Sequence, residues 1–364
     1  MISVCQATRA AQAWYLVIPP IALLFALSGC NGSSQGPGAS GGLVQQIPLP
    51  GNTEWLHTCG PYLASVLQGN EDVMMWEWED LGKPPLKGKG QGGLATAPVL
   101  PDGLLTTVSP LSSPGPKSRP LILVNMHSGA EVHRWTLGPD WFAWMISISA
   151  SGRFAAILAG SSHGPTVRLG ILEESSEEPR WTEELKQERG TLMASRVAPS
   201  EDGHYVGVVG IHDGAWIAVA DAETGKVLWN KRQTESVKFY DLAFSPDSRT
   251  VYAGGTDGGV FAFDVDTGNV LSRLSMGKGK DAEYGYRITR LAASPDGSMV
   301  AAGTGSDGDV HLWDVSTGKH SATIHTGGGS VDGLAFSPDS ARLAVTVVGG
   351  RTIQIWKCPG RSQE

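Results

Sequence analysis

The stretch "LWDVSTG" at residues 312–318, preceded by Asp307-Gly308, decides the fold class of this chain. It lies inside residues 287–324, which read as four short runs of alternating apolar and polar residues. A Ser-Pro-Asp turn, a Gly-rich turn and a Thr-Gly turn separate these runs. Alternation bounded by such turn residues predicts four antiparallel β-strands joined by tight turns.

The same pattern recurs along the chain. Residues 238–274 and 331–358 align with 287–324, and more divergent copies precede them. Equivalent turn positions follow one another at intervals of 43 to 51 residues: Asp102, Ser151, Asp202, Asp247, Asp296 and Asp339. With a first unit beginning at residue 53, seven repeats of about 44 residues fill 53–358, the length of a four-stranded propeller blade. The sequence therefore predicts an all-β, seven-bladed β-propeller of four-stranded antiparallel blades.

The motif at 312–318 resembles a blade of the WD-repeat family. Phe261-Ala262-Phe263-Asp264 is the same element with Phe in place of Trp, and Ile355-Trp356-Lys357 keeps the Trp and loses the Asp. The family's Gly-His pair is absent from the three C-terminal units, and Gly or Ala replaces the Ser of its second strand. The chain is thus similar to a divergent bacterial WD-repeat propeller with an incomplete internal hydrogen-bond network.

The two ends of the repeat region are expected to meet. The last unit stops at its third strand, 352–358, whereas residues 43–49 form an apolar run that belongs to no unit. Such a strand can complete the last blade and leave no open sheet edge. The predicted propeller therefore extends over 43–358, followed by a tail at 359–364.

The first 29 residues read as an export signal. One cation, Arg9, precedes the apolar run 15–27, which has 13 residues, whereas a bilayer-spanning helix needs about 20. Leu27-Ser28-Gly29-Cys30 resembles the cleavage site of a bacterial lipoprotein, which makes Cys30 the predicted lipid attachment site, with acyl chains such as palmitate. An ordinary signal with a chance cysteine is the alternative.

Residues 30–42 are predicted to tether the propeller to a membrane. The segment 31–42, NGSSQGPGASGG, has the composition of a flexible linker. The resemblance implies an extracytoplasmic, lipid-anchored protein on the periplasmic face of the outer membrane or on the cell surface. Asn31 favours these locations over the inner membrane, where lipoproteins with Asp at that position remain.

Composition excludes several function classes. Formal net charge is −8, which argues against a nucleic-acid partner because that requires a basic surface. The nine histidines are scattered without metal-ligand spacing, and no phosphate-binding loop occurs. The Gly-x-Ser-x-Gly match at 32–36 lies in the linker, without the strand and helix that a catalytic serine needs. We expect no catalytic residue, metal or cofactor.

Three further features each have two interpretations. Trp313, Trp356 and Phe263 could stack on a cofactor, but their blade spacing favours core between blades. The pairs Asp257-Gly258 and Asp307-Gly308 could be calcium ligands, but hairpin turns that need the positive φ of glycine are favoured. The acidic insertion 173–189, EESSEEPRWTEELKQER, is either a partner-binding surface or a solvated segment that protects a sheet edge with charge.

Cys59 and Cys358 are the two cysteines that remain after Cys5 leaves with the signal and Cys30 carries lipid. The ends of first and third strands lie on one face of a propeller, and the first and last blades are neighbours. In an exported protein the two thiols could therefore form a disulfide across the closure. Two buried thiols are the alternative.

The segment 219–229, VADAETGKVLW, resembles the repeat of propellers related to quinone-cofactor dehydrogenases, and an outer-membrane assembly lipoprotein is built from such repeats. A dehydrogenase would carry a Trp after Thr-Gly in most blades, and only this unit has it clearly. An enzyme is therefore not expected. An accessory lipoprotein for outer-membrane protein assembly is the second interpretation of the function.

The favoured function is a lipid-anchored, non-catalytic scaffold that presents a rigid surface to another envelope protein, as a monomeric propeller. The loop 276–288 is the candidate recognition loop, because Tyr and Arg are favoured at binding hot spots; its candidate residues are Lys278, Lys280, Asp281, Tyr284, Tyr286 and Arg287. A longer solvated loop is the alternative. An accessory enzyme that uses the central channel, and a purely structural envelope component, are the other functional hypotheses.

Overall fold

The structure of the protein is a computed structural model. It describes residues 42–67, 72–89, 96–99, 103–107, 121–125, 127–161, 166–173, 176–186, 193–211, 215–232, 237–276, 286–305 and 307–360. The described part contains 29 β-strands in seven antiparallel sheets, six with four strands and one with five. The predicted signal segment 1–29, the predicted lipid attachment site Cys30 and the tail beyond residue 360 lie outside the described residues.

The sheets follow one another along the chain, and their strands pair as consecutive hairpins. The first sheet contains β2 (Thr53–Cys59), β3 (Tyr62–Leu67), β4 (Asp72–Glu77) and β5 (Leu86–Lys89). The second contains β6 (Thr96–Val99), β7 (Gly103–Thr107), β8 (Leu121–Asn125) and β9 (Glu131–Trp135). The third contains β10 (Trp141–Ile148), β11 (Ala155–Ser161), β12 (Thr166–Leu172), β13 (Arg180–Trp181) and β14 (Leu185–Lys186).

The C-terminal half repeats this arrangement with four strands per sheet. The fourth sheet contains β15 (Met193–Pro199), β16 (Tyr205–Ile211), β17 (Ala215–Asp221) and β18 (Val227–Arg232). The fifth contains β19 (Phe239–Phe244), β20 (Thr250–Gly255), β21 (Val260–Asp264) and β22 (Val270–Leu274). The sixth contains β23 (Ile288–Ala293), β24 (Met299–Thr304), β25 (Asp309–Asp314) and β26 (His320–His325).

The seventh sheet joins the two ends of the repeat region. It contains β27 (Val331–Phe336), β28 (Arg342–Val347), β29 (Thr352–Lys357) and β1 (Leu43–Pro48). Strand β1 pairs antiparallel with β29, which places Ile47 opposite Ile353. The prediction that residues 43–49 complete the last blade is therefore confirmed.

The first strands of the sheets face one another around a common axis. Strand β2 packs against β27, and β27, β23, β19, β15, β10 and β6 contact one another in succession. Strand β6 also contacts β3 of the first sheet. This arrangement is a β-propeller, and the prediction of four-stranded antiparallel blades is confirmed.

The core lies between adjacent sheets. Trp313 and Phe263 are fully buried there, in clusters between the fifth and sixth and between the fourth and fifth sheets. Trp356 is half-buried against the cluster between the sixth and seventh sheets. These three aromatic side chains are therefore packing residues, as the sequence predicted. Trp313 Nε1 donates to the Ser275 carbonyl (3.1 Å), which satisfies the buried indole nitrogen.

Close approach of the sheets explains why glycine stands in some second strands. A Cβ atom on Gly254 would lie 2.4 Å from Ile288 of the next sheet, closer than real Cβ contacts allow. Gly258 and Gly308 have φ values of 76° and 69° in the hairpins between second and third strands. The prediction of turns that need the positive φ of glycine is thus confirmed.

The turn between the first and second strands repeats one hydrogen-bond pattern. The hydroxyl of Ser245 donates to Asp247 (2.6 Å) and accepts from the Thr250 N–H (2.9 Å). The same bonds form in three other sheets, with donor hydroxyls and acceptor carboxylates Ser200–Asp202, Ser294–Asp296 and Ser337–Asp339. These side chains fix the backbone of each turn, which explains the recurrent Ser-x-Asp in the sequence.

Candidate binding site in the central channel

A β-bulge recurs in the first strand of six sheets. In each case the residue after the bulge lies four positions before the residue that opens the first turn, a Ser or, in the first sheet, Cys59. These register-equivalent residues around the axis are Trp55, Met145, Arg196, Asp241, Arg290 and Gly333. The bulge bends the strand and re-aims the side chain that follows. These six residues form one level of the propeller axis, which we call the polar layer because it contains the charged residues Arg196, Asp241 and Arg290.

Arg196 connects three sheets within this layer. Its Nε lies 3.1 Å from Asp241 Oδ1 of β19, and its guanidinium lies 4.3 Å from the ring of Trp55 on β2. The side chains of Arg196 and Asp241 are 18% and 2% exposed. Burial lowers the pKa of Arg196, an effect opposed by Asp241 and reinforced by Arg290, but an arginine keeps its proton in proteins.

Asp241 is held by backbone as well as by charge. Its Oδ1 accepts from the Leu242 N–H (3.0 Å), and its Oδ2 accepts from the Leu291 N–H of the sixth sheet (2.8 Å). A buried carboxylate is tolerated when it is paired and hydrogen-bonded in this way. Asp241 therefore fixes the position of the Arg196 guanidinium.

A second cation extends the layer into the sixth and seventh sheets. Arg290 donates from Nε to the Asp332 carbonyl (2.7 Å) and from a terminal nitrogen to the Thr289 carbonyl (2.7 Å). The carboxylate of Asp332 accepts from Thr346 (2.5 Å). Burial raises the pKa of Asp332, against the opposing effects of Thr346 and Arg290.

The next channel-facing level is made of five small side chains and one histidine. In each of these six strands, the residue two positions after the member of the polar layer lines a cavity. These residues are His57, Ser147, Ala198, Ala243, Ala292 and Ala335. The cavity measures about 130 Å³ and reaches Ala150, Glu201 and Pro295 at the turns between first and second strands. Arg196 lines it as well. Alanine leaves space where a larger residue would close the channel.

His57 is the titratable residue at this level. Burial, and then the positive charge of Arg196, lower its pKa to about 3. At neutral pH the imidazole is therefore uncharged. Within the described part of the chain, its Nε2 is buried and has no hydrogen-bond partner. A polar atom of this kind marks a place for a water molecule or a ligand.

The rim of the cavity carries Glu201 in the turn of the fourth sheet. Its two carboxylate oxygens accept from the backbone N–H groups of Ala150 (2.6 Å) and Ser151 (3.1 Å) in the third sheet. Two N–H donors thus compensate the charge of this rim carboxylate. Among the described residues, no three His, Cys, Asp or Glu side chains are arranged to hold a metal ion.

The predicted recognition loop is described only in part. Lys278, Lys280, Asp281 and Tyr284 lie outside the described residues, as does the proposed anchor Cys30. The exposed side chain of Arg287 places its guanidinium 5.7 Å from the ring of Tyr240, and the Arg287 carbonyl accepts from the Gly305 N–H (3.0 Å). Tyr286 precedes it and is half-buried. These two residues lie where the fifth and sixth sheets meet.

Cys59 and Cys358 are buried thiols that the structure does not join. Cys59 packs against Ile122 and Val124 in the second sheet, whereas Cys358 belongs to the cluster between the sixth and seventh sheets. The two side chains therefore point away from the interface between the first and seventh sheets, toward opposite neighbours. Burial raises the pKa of each thiol to about 12. Of the two alternatives, the structure has the buried thiols.

The acidic insertion 173–189 supplies the outer edge of the third sheet. Strands β13 and β14 both pair with β12. The Glu177 carbonyl accepts from the Thr136 N–H of the second sheet (2.8 Å), and the Glu183 N–H donates to the Gly225 carbonyl of the fourth (2.7 Å). The insertion thus links three neighbouring sheets, and its glutamates 177, 178, 183 and 184 are exposed.

The polar layer and the cavity were not predicted from the sequence. The signal is present, because the position four residues before each turn Ser holds Arg in two units and Asp in a third, in an otherwise apolar strand. Recognising this signal requires knowing that the position faces the axis.

In the part of the chain that is described, no helix has the length and hydropathy needed to cross a bilayer.

Comparisons with known proteins place the fold in a family context. The family model of the outer membrane protein assembly factor BamB matches residues 121–336, and the WD domain, G-beta repeat matches residues 318–357. The periodic tryptophan protein 2 of Saccharomyces cerevisiae is 27% identical over 196 residues, which cover 42% of this chain and 21% of the yeast protein. The chain thus spans about a fifth of that relative.

A solved structure is similar over nearly the whole chain. The β-propeller domain of Cps50 (Swd1) from Myceliophthora thermophila superposes with a TM-score of 0.59 at 14% identity, covering 87% of this chain and 99% of that domain. At this identity the similarity concerns the fold alone. The BamB model matches more than half of the chain. The protein therefore belongs to the propeller family described by the outer membrane protein assembly factor BamB, with a WD-type repeat at its C-terminal end.

Proposed function

We propose that the protein is a non-catalytic binding platform, anchored by lipid on Cys30 to the extracytoplasmic side of the cell envelope. In this proposal all seven sheets act as the blades of one closed, monomeric ring. Strand β1 begins 13 residues after Cys30 in the sequence, so the linker 31–42 separates the anchor from the last sheet. The partner is another envelope protein.

The observation that carries the proposal is the family match over 121–336 in a closed, rigid propeller. The turns between first and second strands are fixed by repeated Ser–Asp hydrogen bonds. Binding residues are disproportionately found on loops that a rigid scaffold positions. The exposed Arg287 beside Tyr286 supports the loop 276–288 as the recognition surface.

The anchor is tested by replacing cysteines in the N-terminal segment. Wild-type protein and the Cys5→Ala control are expected in the membrane fraction, with an N-terminal peptide that carries acyl mass at Cys30. Cys30→Ala is expected to lack acyl chains and to leave the membrane fraction. A Cys30→Ala variant that stays membrane-bound in the same amount would refute the lipid anchor.

Assistance in outer-membrane protein assembly is the second candidate function, favoured by the description of the matched family. Cross-linking in native membranes followed by mass spectrometry would identify the partner. Recovery of an outer-membrane barrel assembly machine would support this function, and recovery of another recurrent envelope protein would support the general scaffold.

The recognition loop is tested in the same cross-linking experiment. Arg287→Glu is expected to reduce partner recovery at least tenfold. Lys319→Glu is the matched charge reversal in a turn between third and fourth strands and is expected to leave recovery unchanged. Equal recovery with both variants would exclude the loop 276–288 as the recognition surface.

A further inference from the structure

We propose that the central cavity is a binding site for a small carboxylate, held between the guanidinium of Arg196 and the imidazole of His57. The site lies on the axis of the propeller and involves neither Cys30 nor the loop 276–288. Its ligand is an acid with a short apolar chain. The carboxylate comes either from a free small acid or from the C-terminus of a partner protein.

The space for this ligand is built by the choice of residues. Of the six residues that stand two positions after the polar layer, four are alanine and one is serine, whereas the polar layer holds Trp55, Arg196, Asp241 and Arg290. The cavity of about 130 Å³ holds several water molecules, hence also a carboxylate with a few methylene groups. Leu242, Leu291 and Leu334 add apolar wall.

Arg196 supplies a preorganised donor. The ring of Trp55 and the carboxylate of Asp241 hold its guanidinium from two sides. Both oxygens of Asp241 also accept backbone N–H groups, so this carboxylate leaves several of the five guanidinium N–H donors unused. Because Arg196 lines the cavity, a bound carboxylate reaches those donors at a fixed position, which favours a charge-assisted hydrogen bond.

His57 supplies the second contact. His57 lines the same cavity, and its buried Nε2 has no hydrogen-bond partner among the described residues. The positive charge of Arg196 disfavours a proton on the imidazole and disfavours a cationic ligand for the same reason. A bound carboxylate offsets the positive charge of Arg196 and favours a proton on the imidazole, which donates to the ligand from Nε2–H.

The probe is propionate, added to the complete mature protein with isotope-labelled histidine. Propionamide is the neutral, isosteric control. Propionate is expected to shift the His57 ring signal, assigned by its loss in His57→Gln, in a saturable manner. It is also expected to raise the pKa of His57 above its ligand-free value of about 3. Equal shifts with propionamide, or no saturable shift, would refute the carboxylate site.

Matched arginine variants test the guanidinium. Arg196→Lys is expected to weaken propionate binding at least tenfold, because the rigid fork is lost. Arg168→Lys is the control: Arg168 lies 4.5 Å from the ring of Trp141 and pairs with Glu184 (2.8 Å), outside the cavity. Its substitution is expected to leave affinity unchanged. Equal losses with both variants would refute the assignment.

Two further measurements complete the test. If Arg196→Lys does not fold, calorimetric titration of His57→Leu with propionate replaces it, because leucine has no hydrogen-bond donor. Unchanged affinity in that variant would refute the site. Acetyl-Ala-Ala with a free carboxylate, compared with its C-terminal amide, distinguishes the sources of the ligand. Tighter binding of the peptide acid than of propionate points to a partner's C-terminus, and the reverse order points to a free small acid.

Discussion

At the scale of single residues, Arg196 links three sheets in the channel, because it contacts Trp55 and Asp241 from two other sheets. Arg196→Met would leave the buried carboxylate of Asp241 without its cation. We expect the free energy of unfolding to fall by about 3–5 kcal/mol, measured by urea denaturation.

The matched control for this substitution is Arg134→Met. Arg134 pairs with Glu131 (2.5 Å) on the surface, where the two side chains are 48% and 41% exposed. Exposed ion pairs contribute about 0–1 kcal/mol, since water screens the charges. A similar loss of stability in both variants would contradict the structural role assigned to Arg196.

The lowered pKa of His57 makes the free energy of unfolding depend on pH. Its folded-state pKa of about 3 lies below the value of about 6.5 in an unfolded chain. Between these values the unfolded state binds a proton that the folded state does not, so stability falls with falling pH. At pH 4 the His57 contribution to this loss is up to about 3 kcal/mol.

Urea denaturation at pH 7 and pH 4 measures this contribution. His57→Gln is expected to lose less stability between the two pH values than the wild type. His204→Gln, a substitution of an exposed histidine, is expected to follow the wild type. A His57→Gln variant with the wild-type pH dependence would show that His57 is solvated and titrates normally.

At the scale of elements, β1 decides whether the last sheet is complete. Ile47 is 6% exposed and packs in a cluster with Leu56 and Ile353. Ile47→Ala is expected to lower the free energy of unfolding by about 2–5 kcal/mol through lost burial and a cavity. Val44→Ala in the same strand, at a residue 53% exposed, is expected to change it by less than about 0.5 kcal/mol.

Thermal and urea unfolding of both variants measure the contribution of β1. If Ile47→Ala and Val44→Ala were equally stable, β1 would not be packed on the propeller. Pairing with β29 alone, without burial of Ile47, would then be too weak to close the sheet. The two variants thus separate the packing of the strand from its hydrogen bonding.

At the scale of the whole molecule, acid stability depends on the repeated turns. Turn hydroxyl and N–H groups lower the pKa of Asp221, Asp247, Asp264 and Asp314, with donors Thr224, Ser245, Thr267 and Ser316 making the largest contributions. A carboxylate with a lowered folded-state pKa stabilises the fold above its unfolded value, and this contribution is lost as pH falls through the folded value.

The melting temperature is therefore expected to fall steeply below about pH 4, beyond the decrease due to His57. Calorimetry between pH 5 and pH 2 measures it. Asp247→Asn is expected to lower the melting temperature at pH 5 and to flatten the decrease. Glu178→Gln, at an exposed acid of the insertion, is expected to match the wild type. A parallel decrease in all three proteins would assign acid unfolding to other groups.

The sequence by itself determined the strands and the turns, because these depend on local alternation and on pairing between strands adjacent in the chain. The closure by residues 43–49 joins the two ends of the chain, and it was predictable because the last unit lacks a fourth strand and this run belongs to no unit. The sequence also identified Trp313 and Phe263 as core. Only the tertiary structure decided which distant residues meet. Trp55 and Arg196 are 141 residues apart in sequence and touch across the axis because the ring of sheets brings their first strands together.

The tertiary structure also decided the state of Cys59 and Cys358. Their positions at strand ends are visible in the sequence, but strand alternation and sheet packing send the two thiols to opposite neighbours. The cavity could not be predicted for the same reason. Ala198 and Ala243 have the sequence pattern of ordinary strand residues, and only the packing of six first strands around one axis makes them line the cavity. Local pattern determines the blades, and their curvature into a ring determines the site.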